Sequence, residues 1–258
     1  MSHSSFLSIA RFVAWRDMRD LRRAPALIIP TLLLPLMFIV AFAGALSRLT
    51  SLPALQNIDY TAFQYVYALL QAAGFAGAVG GTAMIEDFQN GFMGRLMLAA
   101  PKRAAIVAGY VIAMLLRAAL AVVLLTALAF ALGMDVSGGP LDLLGLFALA
   151  ALLNVTATLW STGVAMHGRS PNAAPAAILP VFLLLFLTPV FLPLESLDGW
   201  LHAVASANPF TSLLEAGRAL IEGQPEDVGM AFAVVGAMVV VTGLWALWGV
   251  KRAEAAGA

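Results

Sequence analysis

The chain holds 258 residues, 62% of them hydrophobic and 11% charged, with zero formal net charge and a mean hydropathy of +0.93. Soluble domains are about 45–50% apolar and about 25% charged, so this composition belongs in a bilayer, and the length suits one helical membrane domain rather than a membrane part plus a water-soluble catalytic module. With no cysteine, disulfides, Cys-ligated metals and thiol catalysis are excluded, and a balanced charge offers no global field for nucleic acid.

Residues 1–25 form a basic arm. Leu7, Ala10, Ala14, Met18 and Leu21 recur at helical spacing, with Arg16, Arg19, Arg22 and Arg23 on the far side. An apolar stripe opposite arginines suits an interfacial helix on an anionic inner leaflet. The same residues also suit a basic arm that only sets topology. Six apolar runs follow, at 26–46, 62–84, 104–132, 141–166, 173–192 and 228–250. Each is near the 20 residues needed to cross a hydrocarbon core, so six transmembrane helices are expected. The first is too long, and its leading arm too charged, for a cleaved secretory signal.

Orientation follows from the cations. With the N-terminus inside, the inner segments hold Arg11, Arg16, Arg19, Arg22, Arg23, Arg95, Lys102, Arg103, Arg169, Lys251 and Arg252. The outer segments hold only Arg48 and Arg218, and are otherwise acidic: Asp59, Asp135, Asp142, Glu195, Asp198, Glu215, Glu222, Glu226 and Asp227. Both termini are therefore expected in the cytoplasm.

Between the second and third runs, residues 86–100 are too charged to span and too apolar for a free loop. Phe88, Phe92 and Leu96 sit four apart and are expected on one helix edge. Glu86 and Asp87 at its start and Lys102 and Arg103 past its end complement the helix dipole, and Pro101 is placed to stop it. A short cytoplasmic helix of this kind offers a docking surface for a soluble partner, or serves as an ordinary interfacial loop helix.

The outer segment 197–221 contains two short apolar pieces, 197–205 and 209–221. Asn208 followed by Pro209 is a cap-plus-first-turn pair; Ser212 and Glu215 offer a second start as a capping box. Gly223 and Pro225 terminate the piece. Two short helices between full spans suggest a re-entrant hairpin, which needs protein or a wet cavity over its backbone. Glu215 and Arg218, three apart, are expected to pair within it.

Arg117 lies inside the third run, where an arginine faces the bundle interior, a partner acid or a water-filled cavity. It could contact an anionic substrate, latch a moving helix, snorkel, or pair with Glu86 or Asp87. Gly77 and Gly81 form a G-x-x-x-G that allows close helix packing, within the chain or near a subunit interface. Tyr60, Tyr65 and Tyr67 suit an aromatic belt. Pro175, Pro180, Pro189 and Pro193 should kink the fifth span. No G-x-x-x-x-G-K-(S/T) phosphate loop exists, so the chain cannot cradle ATP. His3, His167 and His202 fall on opposite sides of the membrane and cannot converge on a metal. Every carboxylate maps to a span end or a loop, unlike the usual pattern of gradient-driven carriers.

Three features together resemble the type-2 branch of ABC transporter permeases, which includes daunorubicin-type and polysaccharide exporters. One is EDFQNGFMGRLMLAAPKRAAIVAGY after the second run. Another is TPVFLPLESLDGWLHAVASANPFTSLLEAGRAL, with its tryptophan-leucine pair, N-P and E-x-x-R. The third is the six-span, N-in layout behind a basic arm. The resemblance implies an all-α polytopic membrane protein, a single permease domain over 1–258. It implies that 86–100 is a coupling helix seated in a separate ATP-binding subunit, with Glu86, Asp87 and Arg95 ion-pairing there or anchoring the helix end, and Phe88, Phe92 and Leu96 filling the cleft or seating the helix on the membrane. It makes 197–221, with Trp200, Asn208, Pro209, Glu215 and Arg218, the re-entrant pair at the outer gate. The coupling segment departs from the pattern in its Gly and Met content and few charges.

The expected function is therefore a non-catalytic subunit of an ATP-driven exporter in a bacterial cytoplasmic (inner) membrane. Two copies would pair as a homodimer or heterodimer, ATP and Mg would bind in the partner subunit, and the chain itself would carry no cofactor. An amphiphilic drug or lipid-like cargo is the expectation. An ion-gradient-driven carrier and a non-transporting membrane scaffold are the alternatives.

Overall fold

The computed structural model describes residues 6–42, 59–100, 102–225 and 227–255, and among the described residues there is no strand. The helices are α1 (Phe6–Arg23), α2 (Ile29–Met37), α3 (Tyr60–Gln89), α4 (Phe92–Ala99), α5 (Ala104–Ala131), α6 (Pro140–Gly168), α7 (Ala174–Phe186), α8 (Gly199–Ala207), α9 (Pro209–Ile221) and α10 (Val228–Ala255). Four of them, α3, α5, α6 and α10, are long and apolar enough to cross a membrane. The first and fifth expected runs give shorter apolar helices.

Local chemistry sets these limits. Asp59 caps α3, its Oδ1 accepting from the amides of Thr61 and Ala62 at 2.8 and 3.3 Å. Its other carboxylate oxygen accepts from the Asp135 amide beyond α5, tying two helix ends together. Asp142 folds back on the Gly139 amide at 2.8 Å to start α6. Proline explains the short elements. Pro180 inside α7 cannot donate to the Ala176 carbonyl, and Trp160 of α6 fills it through Nε1 at 3.3 Å. Pro189 leaves the Leu185 carbonyl to the Thr188 hydroxyl at 2.6 Å, and α7 has already ended at Phe186. Pro35 interrupts α2, which loosens into a π-helical turn over Phe38–Phe42.

Helix α3 is buried along most of its length and is the axis of the bundle. Its glycines pack against α6 within the chain. A Cβ on Gly77 would lie 2.5 Å from the Asn154 carbonyl oxygen, and one on Gly81 2.6 Å from that of Ser161. That approach lets α6 return two hydrogen bonds: Asn154 donates to the Ala73 carbonyl at 2.8 Å, and Ser161 to that of Gly77 at 3.0 Å. Cross-helix polar bonds of this kind average about 0.6 kcal/mol in a bilayer. On the far side of α6, α10 closes over Gly163, where a Cβ would overlap the Trp245 ring. The Trp245 indole in turn donates to the Trp160 carbonyl and stacks on His167 at 4.3 Å.

Two expectations change. Tyr60, Tyr65 and Tyr67 do not form a lipid-facing belt; all three are buried. Tyr65 bonds Thr126 of α5 at 2.7 Å, and Tyr67 accepts from Gln71 and packs edge-on to Phe38. The stripe of α1 does not lie on lipid either. Ala10, Ala14 and Leu21 turn into the protein with Ile9 and Val13, while Leu7 is 75% exposed. The reason is Gly109 of α5, where a Cβ would sit 2.6 Å from that of Val13. A glycine groove on α5 accepts the helix edge, and Ala14 then packs on Ala113 and Met114.

Candidate functional site

Residues 86–100 are not one helix. Helix α3 runs on to Gln89, so Glu86, Asp87 and Phe88 form its last turn. The chain breaks at Gly91, whose φ of 65° is open to glycine and strained for other residues, and α4 restarts at Phe92. Phe88 and Phe92 therefore stand on different helices and share no edge. Phe92 lies under the Arg16 guanidinium at 3.9 Å, and Phe88 faces Arg169 at 5.8 Å. Leu96 is half-buried. Met93 and Met97, which the spacing argument passed over, are the fully inward residues of α4. What projects outward is Glu86, Arg95 and Leu98, the last 84% exposed. Pro101 lies outside the described residues.

Two ion pairs bolt α1 onto this end of the bundle. Arg16 donates to both oxygens of buried Asp87, at 2.6 and 2.5 Å, and the Tyr110 hydroxyl donates to the same carboxylate. The helical spacing of α1 puts Arg16 on the side away from its apolar stripe; the buried Asp87 draws it inward. Its hydrogen bonds to Asp87 raise the Arg16 pKa above the ordinary arginine value. Arg117 pairs bidentately with Asp17 at 2.7 and 2.6 Å, not with Glu86 or Asp87. Burial pushes the Asp17 carboxyl up, and Arg117 pulls it back. A signal for this was present: Asp17 falls among Ala10, Ala14 and Leu21, on the face that turns inward.

At the other end, α8 and α9 are two short helices joined through Asn208. The Asn208 side chain accepts from the Phe210 amide at 3.0 Å, and Pro209 takes the first helical position. The Asn-Pro start thus prevails over the Ser212–Glu215 box; Ser212 donates instead to the Pro209 carbonyl. Phe210 borders the same hollow as Thr156, Ala157 and Trp160, while Gly217 presses on Leu146 and Val66. Ten residues of α6 separate those levels, roughly 15 Å along its axis, so α9 runs deep beside a long apolar helix. Glu215 and Arg218 pair at 2.9 Å, and the buried Arg218 guanidinium covers the Phe63 ring at 3.3 Å. Trp200 on α8 is 73% exposed.

An apolar cleft of about 770 Å³ opens between α5 and α6 over Ala73, with Thr126 as its one hydroxyl, already bonded to Tyr65. Among the described residues no three His, Asp or Glu side chains come together to hold a metal.

A curated relative, the daunorubicin resistance ABC transporter permease protein DrrB1 of Streptomyces coeruleorubidus, is 24% identical over 234 residues, covering 88% of this chain and 80% of its own length. The family model described as ABC-2 type transporter matches residues 10–221, from the buried face of α1 through the end of α9. An all-helical bundle with four long apolar helices, an arm bolted to one end and a capped helical pair at the other accords with that match, and the chain belongs to the ABC-2 type transporter family as a membrane-spanning permease.

Proposed function

We propose that this chain forms half of the translocation path of an ATP-driven exporter and takes its energy from a separate ATP-binding subunit through α4. The observation that carries the reading is the outward edge of α4 and the α3 end, where Glu86, Arg95 and Leu98 stand free beside an otherwise packed joint. An exposed leucine flanked by an arginine and a glutamate suits a cleft with an apolar floor and charged rim. Phe88, Phe92 and Leu96 then seat α4 on the permease, and the joint of Arg16, Asp87 and Tyr110 passes its displacement into α3 and α5. ATP and Mg belong to the partner subunit.

In this reading α2 and α7, though short, complete a six-helix path with the four long helices. Both termini lie in the cytoplasm, the α8–α9 pair dips into the outer leaflet of a bacterial inner membrane, and Trp200, Asn208, Pro209, Glu215 and Arg218 border the exit. A second permease copy supplies the other half. The apolar cleft and the similarity to a daunorubicin resistance permease support an amphiphilic cargo. The test is to replace Leu98 by Glu and Arg95 by Glu, then co-purify with the ATP-binding subunit and follow nucleotide-driven uptake into inverted vesicles. Capture and uptake should both fall. Undiminished capture together with unchanged uptake rules out α4 as the coupling surface.

A further inference from the structure

After α7 the backbone leaves helical geometry over residues 187–193, a stretch with Pro189 and Pro193 that runs beside α3 and α9. Non-helical backbone at apolar depth has no lipid donor to satisfy it, so neighbouring side chains must. Four do so here. Asn208 donates to the Leu184 carbonyl at 2.6 Å, and the Tyr60 hydroxyl to that of Phe191 at 3.0 Å. Between them, the Val190 carbonyl receives two donors from two different helices: Gln64 Nε2 of α3 at 3.2 Å and the Arg218 guanidinium of α9 at 3.3 Å. Gln64 is wholly buried, Arg218 and Val190 each 4% exposed.

Gln64 has no other part in the fold described so far. Its Oε1 has no hydrogen bond among the described residues, and neither does Arg218 Nε. An amide and a guanidinium held at 0% and 4% exposure yet only partly bonded are poorly explained as packing, where every buried polar atom is normally met. They suit a joint that exchanges partners, because Gln64 Oε1 and Arg218 Nε keep bonding capacity that a second arrangement of the segment can fill. Arg218 is aimed at Val190 from a fixed mount, the Phe63 ring and Glu215.

We propose that Gln64 and Arg218 are positioning residues for export: a clasp on the Val190 carbonyl that holds residues 187–193 closed over the outer end of the path, and whose release lets cargo leave. The proposal rests on the exporter reading above. Closing and opening are two arrangements of a packed element, so fixing one of them stops the cycle.

The chain contains no cysteine, so a clean tether can be made. Gln64→Cys with Val190→Cys, assembled with the ATP-binding subunit in proteoliposomes, is bridged by a short bis-methanethiosulfonate. Nucleotide-driven transport of a fluorescent amphiphile should fall about tenfold or more and return after reduction. The single-cysteine variants, treated alike, should not respond. Fully bridged protein that transports at the unbridged rate overturns the clasp. If the unsubstituted complex shows no nucleotide-driven transport, the exporter reading fails instead. The clasp is then judged on the chain alone, by labelling Val190→Cys with a membrane-impermeant maleimide. Adding Gln64→Leu should speed labelling several-fold, and Arg218→Lys serves if Gln64→Leu does not fold. Unchanged labelling in a folded variant overturns the proposal.

Discussion

Arg117→Ala tests how the arm is joined to the bundle. The Arg117 and Asp17 side chains are 10% and 11% exposed, so the pair is largely out of water. Removing the guanidinium leaves a carboxylate buried without its two donors, which costs about 3–5 kcal/mol. Counting from the bonds gives the same order, since two hydrogen bonds to a charged group contribute about 1.5–3 kcal/mol each. At roughly 2–4 °C per kcal/mol for a chain of this length, the thermal midpoint should drop by about 10 °C. Asp17→Ala should drop it comparably, by stranding the arginine. Asp17→Leu combined with Arg117→Met should recover the loss, because an apolar pair of similar volume replaces a buried ion pair at little or no cost. The assay is thermal unfolding in nanodiscs of the unsubstituted permease, Asp17→Leu, Arg117→Met and the two together, which close the cycle, with both alanine variants run beside them. A coupling energy above about 2 kcal/mol is expected. Effects that add within about 0.5 kcal/mol, or Arg117→Ala that cuts transport while leaving the midpoint unmoved, would refute the pairing and return Arg117 to a substrate-contact role.

Two further outcomes follow from the helix contacts. Trp160→Phe should cost about 1 kcal/mol by orphaning the Ala176 carbonyl. In a Pro180→Ala background, where residue 180 regains an amide for that carbonyl, the same change should cost close to nothing; an equal cost in both backgrounds would show that the indole bond contributes little. Gly81→Val should abolish folded protein on size-exclusion chromatography, because its side chain would enter the space of the Ser161 backbone. A monodisperse Gly81→Val chain would mean that α3 and α6 separate more easily than their hydrogen bonds imply.

Several features were legible from the residues because they are one-dimensional. Asn208–Pro209 starts a helix by local backbone chemistry, and α9 begins there. The Glu215–Arg218 spacing brings the two together on any helix, and they pair. Gly77 and Gly81 mark a close approach, though not the partner. Other inferences failed where a local rule met a neighbour. A four-residue spacing put Phe88, Phe92 and Leu96 on one edge, yet a glycine at φ 65° splits them between two helices. The α1 wheel placed arginines outward as a group, and Asp87, 71 positions away, turned Arg16 in.

Hydropathy alone placed this chain in a bilayer as a helical bundle, since the energy of immersing apolar residues depends on their number and run length rather than on what they touch. Which aspartate neutralises Arg117, which carbonyls Gln64 and Arg218 hold, and which edge of α4 faces away from the protein were decided only by packing. Those are short-range interactions between residues distant along the chain, and no periodicity encodes them.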